Sequence, residues 1–361
     1  MYPKLEIYPE KIKNNTKTIK RLCEKKDIKL AVVTKGVNNI TEVVEAVIEG
    51  GADYLADSRI KRFKKLKSIV NDLPLMLLRI PGPAEIKKVI KYADISLNSE
   101  LKIIKLLNAE AKKQNKIHKI VYMIELGDLR EGVYPAEKIV DKVKEVKGLS
   151  NIILEGIGTN LSCYGGIKPD ENNLTKLSDL AKEIENLYDE KLNIISGGST
   201  TSLPLLLENK MPKKINNLRI GESILLGRDM ESLWNYKIEG IKKDTFILKA
   251  EIIELKQKPS KPYGESFVDA FGNKPSFKDR GERKRAILGI GKADFVYPEQ
   301  LIPLKEGVEI LGASSDHLIL DVEEVEENLS LGDIMSFNLF YGPMLYLTAT
   351  SLVENEIINW R

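Results

Sequence analysis

The chain has 361 residues and a net charge of +3 from 56 basic and 53 acidic side chains; 42% of it is hydrophobic and 30% charged. That length exceeds one ordinary core and reads as a large domain plus a smaller one, while the near-balanced charge gives no case for nucleic acid or a membrane surface as partner. Two distant cysteines, Cys23 and Cys163, exclude a disulfide framework or cysteine-rich metal centre, and only two histidines, His118 and His317, argue against metal chemistry.

The N-terminal Met1-Tyr-Pro-Lys-Leu-Glu lacks an apolar signal core, and no apolar run reaches about 18 residues, so the expected location is the cytoplasm. From residue 1 to 236, short apolar runs alternate with longer amphipathic, lysine-rich ones. Strands are predicted at 30–34, 54–56, 75–80, 95–97, 120–125, 152–158, 192–196 and 217–220. Segments such as 41–49, 84–91, 100–114, 136–146 and 174–188 between them carry apolar residues at helical spacing. Eight βα units in one domain are the arithmetic of a closed (β/α)8 barrel. An open doubly wound sheet is the competing architecture, but no GxGxxG follows the first strand.

After Trp234 the texture changes, and residues 237–361 read as a mainly-β domain with strands at 246–254, 286–291, 308–311, 318–322 and 344–352. The stretch 258–285 is rich in Pro, Gly and charge. Its aromatics, Tyr263, Phe267, Phe271 and Phe277, point to an ordered loop facing a site.

Lys35 stands where the first apolar strand runs out into Gly36, the position of a barrel's catalytic residues, although lysines also cap strands and reach solvent from there. The loops after strands seven and eight, the usual phosphate site of a barrel, read Ser196-Gly-Gly-Ser199-Thr200-Thr-Ser202 and Arg219-Ile-Gly221-Glu222-Ser223. A phosphate beside a strand-end lysine points to pyridoxal phosphate, held by its phosphate and by a Schiff base to lysine. Arg219 then faces the ring, where a guanidinium that keeps its proton makes the cofactor a weak electron sink suited to racemisation; an ion pair at the rim is the alternative.

Lys35 after an apolar first strand, Arg219-Ile-Gly closing the eighth and a following β domain resemble the alanine-racemase superfamily. The strings Glu125-Leu-Gly-Asp-Leu-Arg-Glu-Gly132, Gly158-Thr-Asn-Leu-Ser-Cys-Tyr-Gly-Gly166, Leu218-Arg-Ile-Gly-Glu222, the loop from Lys258-Pro-Ser to Asp279-Arg-Gly, and Ala313-Ser-Ser-Asp-His317 are most similar to its ornithine-racemase group. The resemblance implies that Lys35 carries the cofactor and is one of two proton-transferring bases. Ser199, Thr200, Gly221 and Glu222 then belong to the phosphate side, and Arg130 helps to hold the substrate carboxylate. Asn160 falls where alanine racemases carry a histidine packed on the ring. Ser315 and Asp316 resemble the Met-Asp pair that a partner subunit contributes to the pocket, implying a head-to-tail homodimer. In place of the family's Gly-Tyr-x-Asp turn, with its second base, stands Gly291-Lys292-Ala293-Asp294. The second base is then to be found among Cys163, Lys292, His317 and Tyr341, with Cys163 foremost because a thiol can lose and return a proton.

The expected activity is pyridoxal-phosphate-dependent racemisation of ornithine or a related basic amino acid, with no metal. A carboxylate must meet the substrate's side-chain amine, and Asp128, Asp269, Asp294 and Asp316 are all available. A decarboxylase of basic amino acids and a non-enzymatic carrier of the cofactor are the alternatives; the β domain argues against the carrier and Arg130 against the decarboxylase.

Overall fold

A computed structural model describes residues 1–70 and 72–360. After a first strand, β1 (Lys4–Ile7), eight parallel strands close into a barrel in sequence order. They are β2 (Lys29–Val33), β3 (Tyr54–Asp57), β4 (Leu75–Leu77), β5 (Ile95–Asn98), β6 (His118–Met123), β7 (Ile152–Gly158), β8 (Ile194–Ser196) and β9 (Asn217–Ile220). β9 returns to β2 with Ala31 opposite Arg219 and Val32 opposite Ile220, which closes the ring. Each strand is buried on both faces, so it reads as an apolar run rather than an alternation. Ala31, Val33, Ala56, Met76, Ile95, Leu97, Val121, Met123 and Ile194 form one buried apolar cluster, the filling of a packed barrel. The outer helices bury one stripe each. Thr41–Glu49 buries Val43, Val44, Ala46 and Val47, and Glu171–Tyr188 opens on Asp170, whose side chain accepts the Asn173 N–H at 2.8 Å.

The chain divides into two compact units, residues 10–242 and residues 1–9 with 243–361. The reading of 1–236 as barrel differs from this at its start. β1 pairs antiparallel with β10 (Phe246–Pro259) and parallel with β16 (Glu354–Ile357), and it buries Leu5 and Ile7 in the second unit. That unit is otherwise antiparallel, in the order β12 (Leu301–Pro303), β15 (Ile334–Leu339), β10, β11 (Glu282–Leu288), β14 (Leu318–Asp321), β13 (Glu309–Ala313).

Two features of this unit depart from expectation. The segment 344–352 is not a strand: Tyr341–Leu347 is a helix that buries Pro343, Met344 and Leu347, a three-to-four spacing that a period of two does not produce. β10 and β11 pair as far as Pro259 opposite Glu282, so the connection is confined to 260–281. Its aromatics are exposed, Tyr263 by 92% and Phe267 by 80%, and its tip is a turn in which Asp269 accepts the N–H groups of Phe271 and Asn273, both at 2.8 Å.

Candidate active site

Lys35 lies immediately past β2, in the single 3-10 turn Lys35–Val37, with its side chain partly buried. The Thr34 N–H donates to Ala56 O at 2.9 Å, which ties the strand end to β3. Gly221 closes the mouth on the other side. A Cβ there would stand 3.2 Å from both Val33 Cβ and Val33 O, a tight contact that glycine relieves where the end of β9 approaches the end of β2. The approach sets Glu222 near the Lys35 turn. Burial and then the negative charge of Asp229 push the Glu222 carboxyl up to about 8, against the opposing charge of Lys35. Burial likewise pushes Asp229 up to about 6, partly offset by the Ser223 hydroxyl that donates to it at 2.7 Å.

Arg219, on β9, is 4% exposed. Its Nη2 donates to Thr159 O at 2.7 Å and its Nη1 to Ser196 Oγ, and Ser196 passes a hydrogen bond on to Asn217 Oδ1 at 2.5 Å. Burial lowers the guanidinium to about 10, which leaves it charged at neutral pH. Arg219 is thus hydrogen-bonded inside the barrel rather than ion-paired at the rim. In the loop after β8, Ser199 Oγ lies 3.2 Å from Thr201 Oγ1, and Thr200 opens the 3-10 turn Thr200–Ser202. Two buried polar atoms at the end of β7, Thr159 Oγ1 and Asn160 Nδ2, have no hydrogen-bond partner.

The two long strings after β6 and β7 interlock. Asp128 is fully buried, and its carboxylate accepts the N–H groups of Cys163 (3.2 Å), Tyr164 (3.1 Å) and Gly165 (3.0 Å). Gly165 passes so close that a Cβ would stand 2.9 Å from Asp128 O. Glu125 fixes the other end of the first loop by accepting from Gly127 N at 2.5 Å and Arg130 N at 3.1 Å. Arg130 pairs with Glu131 through Nη2 at 2.5 Å and through Nε; that carboxylate, with Cys163 also near, holds the guanidinium above its ordinary value. Cys163 is a free, exposed thiol. Asp128, one of the four carboxylates available for a substrate amine, is therefore occupied by backbone donors.

The remaining expected residues lie in the second unit. Ser315 Oγ donates to Asp316 Oδ2 at 2.6 Å in the turn between β13 and β14. Lys292 N–H donates to Ser314 O at 2.9 Å, which packs the Gly291–Asp294 turn against it. The Lys292 ammonium sits 4.1 Å above the Phe271 ring, His317 Nδ1 lies 3.5 Å from Ser314 Oγ, and Tyr341 opens its helix. Asp294 accepts the Gly291 N–H at 3.1 Å. Of the four candidate second bases, Cys163 alone shares the barrel unit with Lys35, Arg130 and Arg219. Sequence reasoning missed Ser196 and Thr159 as partners of Arg219, and missed the clamp role of Asp128. Asp128 and Thr159 lie in the two long strings and Ser196 opens the loop 196–202, but nothing in a string says which partners its polar groups will meet.

Comparison with known proteins is consistent from end to end. A model of the alanine racemase N-terminal domain matches residues 7–229. The chain is 46% identical to an ornithine racemase of Acetoanaerobium sticklandii over 358 residues, covering 99% of this chain and 100% of that one. It is 37% identical to a lysine racemase of Thermotoga maritima over 354 residues, 98% of each. Among solved structures, an alanine racemase from Streptomyces lavendulae superposes with a TM-score of 0.77 at 15% identity, covering 99% of this chain and 98% of that one. Another, from Clostridium difficile, gives 0.73 at 19% over 99% and 96%. The chain belongs to the alanine racemase family.

Proposed function

We propose that this protein is a pyridoxal-phosphate-dependent racemase of basic amino acids, ornithine foremost. The observation that carries the reading is the full-length match to racemases named for ornithine and for lysine. The residues present fit the cofactor. Asn160 Nδ2 and Thr159 Oγ1 are buried groups without partners at the barrel mouth, an arrangement that costs about 1–3 kcal/mol each unless a further group satisfies them. Lys35 and Asn160, with Ser199, Thr200, Gly221 and Glu222 at the phosphate end and Arg219 toward the ring, are the residues that would hold it. When bound, the cofactor supplies the electron-withdrawing ring that makes an amino acid's α-proton removable.

The chain's own residues do the rest. Arg130 offers its guanidinium to the substrate carboxylate, in exchange for Glu131. Lys35 Nζ takes or returns the α-proton on one face of the α-carbon, and Cys163 Sγ serves the other. Arg219, charged and hydrogen-bonded, withholds a proton from the ring side. Ser315 and Asp316 complete the pocket from a partner subunit in a head-to-tail dimer, where Asp316 meets the side-chain amine. The exposed Leu129, Tyr134 and Tyr164 in the interlocked loops support a covered mouth. Among the described residues no helix is long and apolar enough to cross a membrane, and an exposed free thiol fits a reducing cytoplasm.

The test is borohydride reduction of the protein loaded with pyridoxal phosphate, with peptide mass mapping, beside chiral analysis of ornithine after incubation. A pyridoxyl group on Lys35 and convergence of both enantiomers on one mixture are expected. Carbon dioxide release without inversion, or no label on Lys35, overturns the reading.

A further inference from the structure

The turn that carries Lys35 is held by a residue with no part in the site as described. Lys35 presents its side chain from one 3-10 turn whose exit, Asn38 and Asn39, lies in the left-handed region at φ +45° and +58°. Asparagine adopts that region readily, so contacts from the neighbouring loop decide where the turn points. Arg62, in the loop after β3, supplies the fixing contact: its Nη1 donates to the carbonyl of Lys35 itself at 2.7 Å. The same Nη1 lies 3.4 Å from Asp57 Oδ2, and Asp57, the last residue of β3, is fully buried. Asp57 Oδ1 is in turn taken by the Arg59 N–H at 2.8 Å, so the carboxylate cannot swing away. The tie runs in both directions, because Asn39 Nδ2 donates to the Arg62 carbonyl at 2.9 Å and Lys65 Nζ donates to Asn39 O at 2.6 Å.

We propose that Arg62, anchored by Asp57, is the positioning residue of Lys35, fixing the backbone from which the ε-amine reaches the cofactor and the α-carbon. Charge logic favours this over a plain structural role. A buried carboxylate needs a cation, and many arrangements would supply one. This guanidinium spends the same nitrogen on the one carbonyl that orients the lysine. The five fixed donors of arginine let it serve two acceptors at once, whereas a lysine there could reach both only with poorer geometry.

The proposal rests on Lys35 as the cofactor-bearing lysine, and reduction of the unaltered protein checks that separately. Its own test compares Arg62→Met, Arg62→Lys and Arg79→Met, the last breaking the exposed Arg79–Glu85 pair (2.5 Å) in the neighbouring loop as a control. Two rates are read: racemisation of ornithine, split into kcat and KM, and reconstitution of cofactor-free protein with pyridoxal phosphate, followed by borohydride-trapped pyridoxyl-Lys35. Arg62→Met should lower kcat by about 10²-fold, the cost of a misplacement of about 1 Å, with KM nearly unchanged, and should slow trapping at Lys35. Arg62→Lys should recover part of both rates, and Arg79→Met should change neither. If Arg62→Met does not fold, Arg62→Lys carries the decision by the same two rates. Unaltered trapping and kcat in a folded Arg62→Met, or in Arg62→Lys where that variant decides, overturn the proposal; so does a loss that moves KM as much as kcat.

Discussion

The two sides of the barrel mouth are built on different principles. On the β8–β9 side the candidate cofactor-facing side chain is itself held: Arg219 is 4% exposed, and its two terminal nitrogens donate to Ser196 and Thr159. On the β6–β7 side it is the backbone that is held, and the candidate substrate-side chains are more exposed. Asp128 and Glu125 hold the loops through main-chain N–H groups, while the Arg130 side chain is 39% exposed and Cys163 is open to solvent. A side that receives a permanent cofactor profits from pre-organised charge, since no reorganisation is needed when it binds. A side that admits and releases substrate needs a fixed frame with movable tips.

Three substitutions break or sharpen this contrast. Arg219→Met should have the largest effect on folding, a loss of about 2–4 kcal/mol in urea unfolding, because it takes the donors from the buried Thr159 O and Ser196 Oγ. Asp128→Asn should cost less, about 1–3 kcal/mol, because an amide oxygen in the place of Oδ2 can still accept two of the three N–H groups. Its signature is local: faster hydrogen exchange at Cys163, Tyr164 and Gly165 with Arg219's surroundings unchanged. Equal acceleration on both sides of the mouth would mean that they are one unit.

The third effect is a pH dependence at Glu222. Its folded carboxyl is raised from 4.5 to about 8, so between those values the folded state binds a proton that the unfolded state has released. Glu222 therefore contributes stability that is complete below pH 4.5 and lost as pH rises through about 8. Thermal midpoints of the cofactor-free protein should show this component, and Glu222→Gln should flatten the slope above pH 6, leaving below it the contribution of Asp229, raised from 3.8 to about 6. An unchanged slope in Glu222→Gln would assign it elsewhere.

The barrel was legible because parallel strands buried on both faces read as apolar runs, and all eight stand where such runs lie. β1 was not, because its partners β10 and β16 lie far along the chain and four residues carry no period of their own. The helix Tyr341–Leu347 was misread because two turns give too few apolar positions to separate a period of 3.6 from one of 2. The positions of Lys35 and Arg219 at barrel strand ends were visible because strand ends announce themselves by the glycines that follow. Their supports were not. Whether Asp128 meets an ammonium or three amides, and whether Arg62 meets solvent or the Lys35 carbonyl, depends on how adjacent βα loops fold over each other, and charge alone does not encode that.

The central claim is that Lys35 and Cys163 serve opposite faces of one α-carbon. It is tested most directly by NMR of L- and D-ornithine incubated separately in D2O with the loaded Cys163→Ala protein. The expected result is α-proton exchange in one enantiomer only, with its configuration retained, because Lys35 still works its own face. Racemisation of both enantiomers at the rate of the unaltered protein would contradict it.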